Sequence, residues 1–235
     1  MSVQTEIEKC MTLKLGEIVK LSGCGRTDTR VHARTYYAHF DLANPIDLEK
    51  KDSFLNNLNQ FLPADIVLID LSEVSPEANA RFDAISRTYS YYMHHTKDPF
   101  IRHHSLYYYG PLDVDTMQEA CSVLLEYEDF TSFSKLHTQT KTNNCRISKA
   151  VWVQSGHNLV FTITADRFLR NMVRAIVGTM LEIGKGKLTI EGFKEVIESK
   201  NRSNAGFSVP GYALFLENVS YPEELFLQKQ GKNTN

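Results

Sequence analysis

The sequence has little of what marks membrane, secreted or metal-binding proteins. Its 235 residues contain no apolar run of about eighteen residues, the length needed to cross a membrane. The N-terminus lacks the basic and then apolar order of a secretory signal, so we expect a cytoplasmic protein. The four cysteines are spaced neither as a zinc site nor as a redox Cys-x-x-Cys pair, and we expect free thiols.

Two histidine doublets, His94-His95 and His103-His104, raise the question of a bound metal. Adjacent side chains of a strand point to opposite faces, so a doublet on a strand cannot direct both imidazoles at one ion. We therefore expect no metal site and no membrane partner.

The charge is nearly balanced overall but unevenly distributed along the chain. A net charge of −2 argues against a protein that coats nucleic acid indiscriminately, because such binding neutralises phosphates with Lys and Arg. Residues 131–187, however, hold nine basic and two acidic residues, whereas residues 41–80 hold eight acidic residues and two lysines. One face could therefore bind a polyanion, and the alternative is a solvated asymmetry without a partner.

Hydrophobic periodicity predicts an α+β fold with mixed or antiparallel sheets flanked by helices, organised as two similar halves. The expected halves are residues 1–100, which carry a Gly-rich loop, and residues 101–227, followed by a flexible tail at 228–235. The predicted helices are 3–15, 48–61, 113–126, 170–183 and 189–199. The predicted strands are 17–22, 35–42, 66–71, 87–95, 147–154, 159–165 and 213–221.

The loop of residues 23–30 contains the strongest candidate for a catalytic residue. Its glycines allow a close approach to a ligand, and Asp28 lies among several cationic and hydrogen-bonding side chains. Nearby positive charges favour the ionised carboxylate, which can act as a base or a nucleophile. A dinucleotide-binding loop would need a third glycine, and a phosphate-binding loop would need Gly-Lys-Ser/Thr. The alternative is an Asp28 that only caps a turn and pairs with Arg26.

Several segments in order resemble the tRNA pseudouridine synthase A family. Arg26-Thr27-Asp28-Thr29-Arg30-Val31-His32-Ala33 is similar to the family signature Arg-Thr-Asp-x-Gly-Val-His-Ala. Five further matching segments are 2–8, 81–91, 129–133, 168–178 and 213–222, so the resemblance covers almost the whole chain.

The resemblance implies a pseudouridine synthase-like fold with an active-site cleft between the two halves. It implies isomerisation of uridine to pseudouridine at positions 38–40, in the anticodon stem-loop of tRNA, by a homodimer without metal or organic cofactor. It assigns Asp28 as the catalytic carboxylate, Arg174 as its partner and Tyr89 as the aromatic residue facing the base. Leu214 matches a residue that lines the pocket. We assign RNA contacts to Arg26, Arg30, His32, Arg34, Arg170, Lys135 and Lys141.

Two departures from the family pattern bear on activity. Arg30 stands where the family usually has glycine, and a positive φ there would strain the loop. The family's N-terminal strand has no match before Val3, so we expect part of the first sheet to be missing. The alternatives are a catalytically impaired tRNA-binding protein and, from another class, a small-molecule hydrolase using Asp28 and His32.

Overall fold

The structure is a computed structural model that describes residues 2–135 and 142–227. Its α-helices are α1 (Val3–Leu15), α2 (Lys51–Phe61), α3 (Val114–Leu124), α4 (Met172–Gly184) and α5 (Ile190–Glu198). Its strands are β1 (Ser22–Gly23), β2 (His32–Ala33), β3 (Ala38–His39), β4 (Ser86–His94), β5 (Leu106–Tyr107), β6 (Ile147–Ser155), β7 (Asn158–Ala165) and β8 (Leu214–Ser220). The α+β class with mixed and antiparallel pairing is confirmed.

The described residues form two compact units. The first contains residues 2–25, 37–84 and 221–227, and the second contains Arg26–Tyr36 and the described part of Ile85–Ser220. These units do not follow the predicted halves 1–100 and 101–227. The reason is strand pairing: the chain after Asp28 places β2 alongside β8, so the Asp28 loop belongs to the second unit.

In the first unit, α1 and α2 pack around Met11, Val19 and Leu58. The Ser2 side chain accepts a hydrogen bond from the Thr5 amide at the start of α1, and Gly16 ends the helix in the left-handed region at φ 72°. Strands β1 and β3 pair antiparallel but are much shorter than the predicted strands 17–22 and 35–42.

The predicted strand 66–71 is wrong. The Asn59 side-chain amide donates to the Leu68 carbonyl at 2.9 Å and accepts from its N–H at 2.7 Å. This side chain therefore replaces a strand partner at Leu68, while Val67 and Ile69 point outward and are exposed. An apolar run alone did not distinguish this extended segment from a strand.

The second unit is built on a six-stranded sheet in the order β2-β8-β4-β7-β6, with β5 added beside β4. Helices α3, α4 and α5 pack together, and α3 lies against β6. The core face of the sheet includes Tyr91, Phe161, Ile163 and Trp152, all buried. The strand alternation within β4 and β7 therefore separates a helix-covered face from an opposite, more polar face.

Two negative findings apply to the part of the chain that the structure describes. Within residues 2–135 and 142–227, no helix has both the length and the apolar character needed to cross a membrane. Over the same ranges, no group of three or more His, Cys, Asp or Glu side chains is arranged to hold a metal ion.

His94 on β4 makes the stability of the fold sensitive to pH. Its ring is buried, with Nδ1 2.8 Å from Ser105 Oγ, and this burial lowers its pKa below the ordinary 6.5. The unfolded chain therefore binds a proton more readily than the folded one. We expect the free energy of unfolding to fall as the pH decreases through 6.5, since protonation favours the unfolded state there.

Urea unfolding at a series of pH values between 7.5 and 5.5 measures this effect. His94→Gln should flatten the pH dependence, whereas the exposed His157→Gln serves as the matched control and should leave it unchanged. An equal slope in the wild type and in His94→Gln would contradict the assignment.

Candidate active site

The centre of the site is an ion pair between Asp28 and Arg174. Arg174 Nη1 donates to Asp28 Oδ2 at 2.9 Å, and the two side chains are 19% and 21% exposed. Asp28 opens a turn in which its carbonyl accepts the Val31 N–H at 3.1 Å, and Arg174 lies in the first turn of α4. The fold therefore brings together two residues that are 146 positions apart in sequence.

Arg174 is also fixed by the backbone of Val209. Its Nε donates to the Val209 carbonyl at 2.6 Å, and the Val209 N–H donates back to the Arg174 carbonyl at 3.2 Å. The hydrogen bond from the guanidinium to the Asp28 carboxylate thus comes from Nη1, while Nε is used by Val209. Partial burial of the pair makes these charge-assisted bonds stronger than surface ones.

Arg170 supplies a second positive charge beside the same carboxylate. Its Nε lies 3.9 Å from Asp28 Oδ1, a distance too long for a hydrogen bond, and its side chain is 61% exposed. The helix predicted at 170–183 does not include Arg170 in the structure, because α4 begins only at Met172 and Asn171 is left-handed at φ 70°. Asp28 therefore has one oxygen bound and one oxygen facing an exposed cation.

Tyr89 and Leu214 lie on the neighbouring strands β4 and β8. Tyr89 is opposite Leu216 in register and Leu214 is opposite Tyr91, so all four side chains share the helix-covered face. The Tyr89 ring packs edge-on against Phe168 with 5.2 Å between ring centres. Phe168 precedes Arg170 by two residues, so Tyr89 contacts the segment that leads into α4. Leu214 is buried in the core.

His32 and Arg34 lie on the opposite face of that sheet. His32 stacks on Phe215 with 4.6 Å between ring centres, and the Arg34 guanidinium lies 5.2 Å from the centre of the same ring. Arg34 Nε also forms an ion pair with Glu217 Oε2 at 3.2 Å. Phe215 alternates with Leu214 and Leu216 along β8, so these two predicted RNA contacts point away from the Tyr89 face.

Three of the remaining predicted RNA contacts, Arg26, Arg30 and Lys135, are exposed cations. Arg26 and Arg30 lie in the Asp28 loop, and the amide of Lys135 donates to the Arg170 carbonyl at 3.1 Å. Lys135 therefore neighbours the segment that carries Arg170. Lys141 lies outside the described residues.

The sequence predicted Asp28 and Arg174 as site residues but did not predict the neighbouring groups that fix their positions. Val209 and Phe168 were not assigned roles, although Phe168 lies in one of the family-like segments. A backbone carbonyl such as that of Val209 leaves no signal in residue identity, because every residue has one.

Arg30 adopts the left-handed backbone that the glycine at this family position would tolerate. Its φ is 68°, and its side chain is exposed. For a residue with a Cβ, the left-handed conformation costs about 1 kcal/mol or more of free energy. We therefore expect Arg30→Gly to raise the free energy of unfolding by about 0.5–1 kcal/mol, after the greater flexibility of glycine in the unfolded chain is subtracted.

Urea unfolding checks this expectation, with Arg26→Gly as the matched control. Arg26 is also an exposed loop arginine but does not have a positive φ, so its replacement should lower stability or leave it unchanged. A loss of stability in Arg30→Gly as large as in the control would show that the backbone at Arg30 is not strained.

Comparison with known proteins adds an independent finding. A family profile described as tRNA pseudouridine synthase matches residues 120–222. The tRNA pseudouridine synthase A of Parabacteroides distasonis is 57% identical over 230 residues, covering 96% of this chain and 89% of the relative. The protein of that name from Bacteroides thetaiotaomicron is 51% identical, covering 99% and 86%. The one from Clostridium acetobutylicum is 40% identical, covering 94% and 90%.

Proposed function

Because this chain belongs to the tRNA pseudouridine synthase A family, we propose that it isomerises uridine to pseudouridine at positions 38–40 in the anticodon stem-loop of tRNA. The observation that carries the proposal is the Asp28–Arg174 pair at 2.9 Å, formed by two family-like segments distant in sequence. From the family resemblance we also propose that the protein forms a homodimer and acts in the cytoplasm.

The reaction exchanges one bond to the sugar for another. The bond from uracil N1 to C1′ breaks, the base turns, and C5 forms the new bond to C1′. The proton on C5 leaves and N1 gains one, so substrate and product have the same composition. Asp28 acts as the ionised group at the sugar–base junction, and either of its possible roles, nucleophile or base, needs the negative charge that Arg174 stabilises.

The substrate base must leave its stack in the RNA before Asp28 can reach it. Extrusion costs a few kcal/mol of free energy, and stacking of the base on an aromatic side chain offsets about 1–3 kcal/mol of this cost. Tyr89 supplies this face in the proposal, and its edge-on packing against Phe168 supports a fixed ring orientation. Burial of Leu214 on the adjacent strand supports an apolar pocket wall.

Exposed cations near Asp28 account for recognition of the RNA backbone. Arg170 combines 61% exposure with a position beside the carboxylate, which suits a contact to the phosphate of the target nucleotide. Lys135 neighbours Arg170 through its backbone, and Arg26 and Arg30 extend the positive charge along the loop. Binding should therefore weaken as the salt concentration rises.

The direct test is incubation of the purified protein with an unmodified tRNA transcript, followed by carbodiimide mapping of pseudouridine. We expect product at uridines within positions 38–40 and none in a control transcript with cytidine at those positions. Binding of tRNA without product would overturn the proposal in favour of the impaired RNA-binding alternative. Absence of a gel shift at low salt would exclude both.

A further inference from the structure

A short segment after α5 connects both partners of the Asp28–Arg174 pair. We call residues 205–211 the strap. Its backbone lies directly against α4, because a Cβ added at Gly178 would lie 1.7 Å from the Phe207 carbonyl oxygen. The Gly206 N–H also donates to Thr179 Oγ1 at 2.8 Å. The strap and the helix that carries Arg174 are thus in backbone contact.

The same strap binds Arg174 itself. Val209 accepts from the guanidinium at 2.6 Å and donates to the Arg174 carbonyl at 3.2 Å. The next residue, Pro210, accepts a hydrogen bond from the buried Tyr91 hydroxyl at 3.1 Å. This pair of contacts fixes the position of the Val209 carbonyl, and therefore the direction in which Arg174 points.

The far end of the strap lies against the Asp28 turn. A Cβ added at Gly211 would be 2.7 Å from the Thr29 carbonyl oxygen, and Thr29 follows Asp28 directly. The strap therefore contacts Arg174 at Val209 and the Asp28 turn at Gly211. Because both contacts are tight, its position determines the distance between the carboxylate and the guanidinium.

Two polar side chains hold the strap in place. Arg202 donates from Nη1 to the carbonyls of Ala205 and Gly206 at 3.3 and 3.0 Å, and from Nη2 to Ser208 Oγ at 2.9 Å. Ser208 Oγ also accepts from Asn171 Nδ2 at 2.5 Å. Ser208 is thus the point where the strap is tied both to Arg202 and to the left-handed residue that precedes α4.

We infer that Arg202 and Ser208 are positioning residues, which act through the strap to aim Arg174 at Asp28. This inference rests on the proposed function, because it concerns the turnover that the ion pair supports. Neither side chain is described in contact with Asp28, so their effect must pass through Val209 and Arg174. A displacement of about 1 Å in such a site can cost about a hundredfold in rate.

Ser208→Ala tests the inference with a small change. It removes one hydroxyl that receives two hydrogen bonds, and we expect kcat for pseudouridine formation to fall about tenfold to a hundredfold. KM and the affinity for tRNA should change less than about twofold, because the change removes no RNA contact. Ser208→Thr retains the hydroxyl and should restore most of kcat.

Ser203→Ala is the matched control, since Ser203 is exposed and its backbone N–H, which the substitution retains, donates to Asn201 Oδ1 at 3.0 Å. It should retain full kcat. A loss of kcat in the control equal to that in Ser208→Ala would overturn the inference, because it would indicate a general effect on the fold.

A double-mutant cycle separates positioning from simple destabilisation. In an Arg174→Lys background the guanidinium is already absent, so adding Ser208→Ala or Arg202→Ala should lower kcat little further. Equal losses in both backgrounds would overturn the inference. Thermal unfolding of each variant identifies any Arg202→Ala sample that is not folded, and Ser208→Ala then decides the question alone.

The two proposals fail differently. If the wild type forms no pseudouridine on tRNA, the proposed function is wrong. If the wild type is active and Ser208→Ala has normal kcat, only the positioning role of the strap is wrong.

Discussion

Asp28→Asn is expected to abolish pseudouridine formation, with a loss of roughly 10⁴-fold or more in kcat. The amide has nearly the shape of the carboxylate but is neither a base nor an effective nucleophile. It also leaves the partly buried Arg174 guanidinium opposite a neutral group. Carbodiimide mapping over a time course, with enzyme in excess over tRNA, measures the rate of the chemical step.

A charge-matched control distinguishes chemistry from electrostatics. Asp115→Asn removes the same charge from an exposed position in the first turn of α3, and it should retain normal turnover. The affinity for tRNA should be similar in both variants, because each becomes less negative by one charge. Product formed by Asp28→Asn at the wild-type rate would show that another group performs the reaction.

Arg174→Lys is expected to lower kcat by roughly 10²- to 10³-fold, the cost of losing one well-placed charged donor in an active site. The arginine uses Nε for Val209 and Nη1 for Asp28. A lysine has one ammonium on a flexible stem and cannot satisfy both acceptors in the same geometry. Single-turnover rates and the thermal unfolding midpoint together report the effect.

Arg170→Lys is the comparison that isolates geometry from charge. Arg170 faces Asp28 at 3.9 Å without a hydrogen bond, so a lysine there retains what the structure shows arginine to supply, a nearby positive charge. We expect a loss of less than about tenfold in kcat for this variant. If Arg174→Lys lowered kcat as little as Arg170→Lys, the result would indicate that Arg174 acts only through its positive charge.

The local elements of the fold were predictable, because their signals lie within a few residues. Apolar periodicity identified α1 and α4 within two residues of their observed ends, and the predicted strands 147–154 and 159–165 correspond to β6 and β7. The segment 66–71 was not predictable in this way. Its backbone pairs with the Asn59 side chain, and no pattern within the segment records that partner.

The candidate site shows the same division between local and distant information. Family-like motifs predicted Asp28 and Arg174 as site residues, and in the structure their side chains are hydrogen-bonded to each other. His32 lies only four residues after Asp28 yet points to the other face of the sheet, because strand alternation sets its direction. The strap was not predicted from the sequence. Its glycine contacts depend on side chains that are absent, because the lack of a Cβ allows close backbone approach at Gly178, Gly206 and Gly211.

The pairing of β2 with β8 has a consequence for how the chain matures on the ribosome. His32 and Ala33 are synthesised long before their strand partners, Phe215 and Leu216. During synthesis, the Asp28 turn cannot acquire these neighbours until the residues of β8 have been translated. Closing so long a loop is entropically costly, so we expect this corner of the molecule to be among the last to acquire its native geometry.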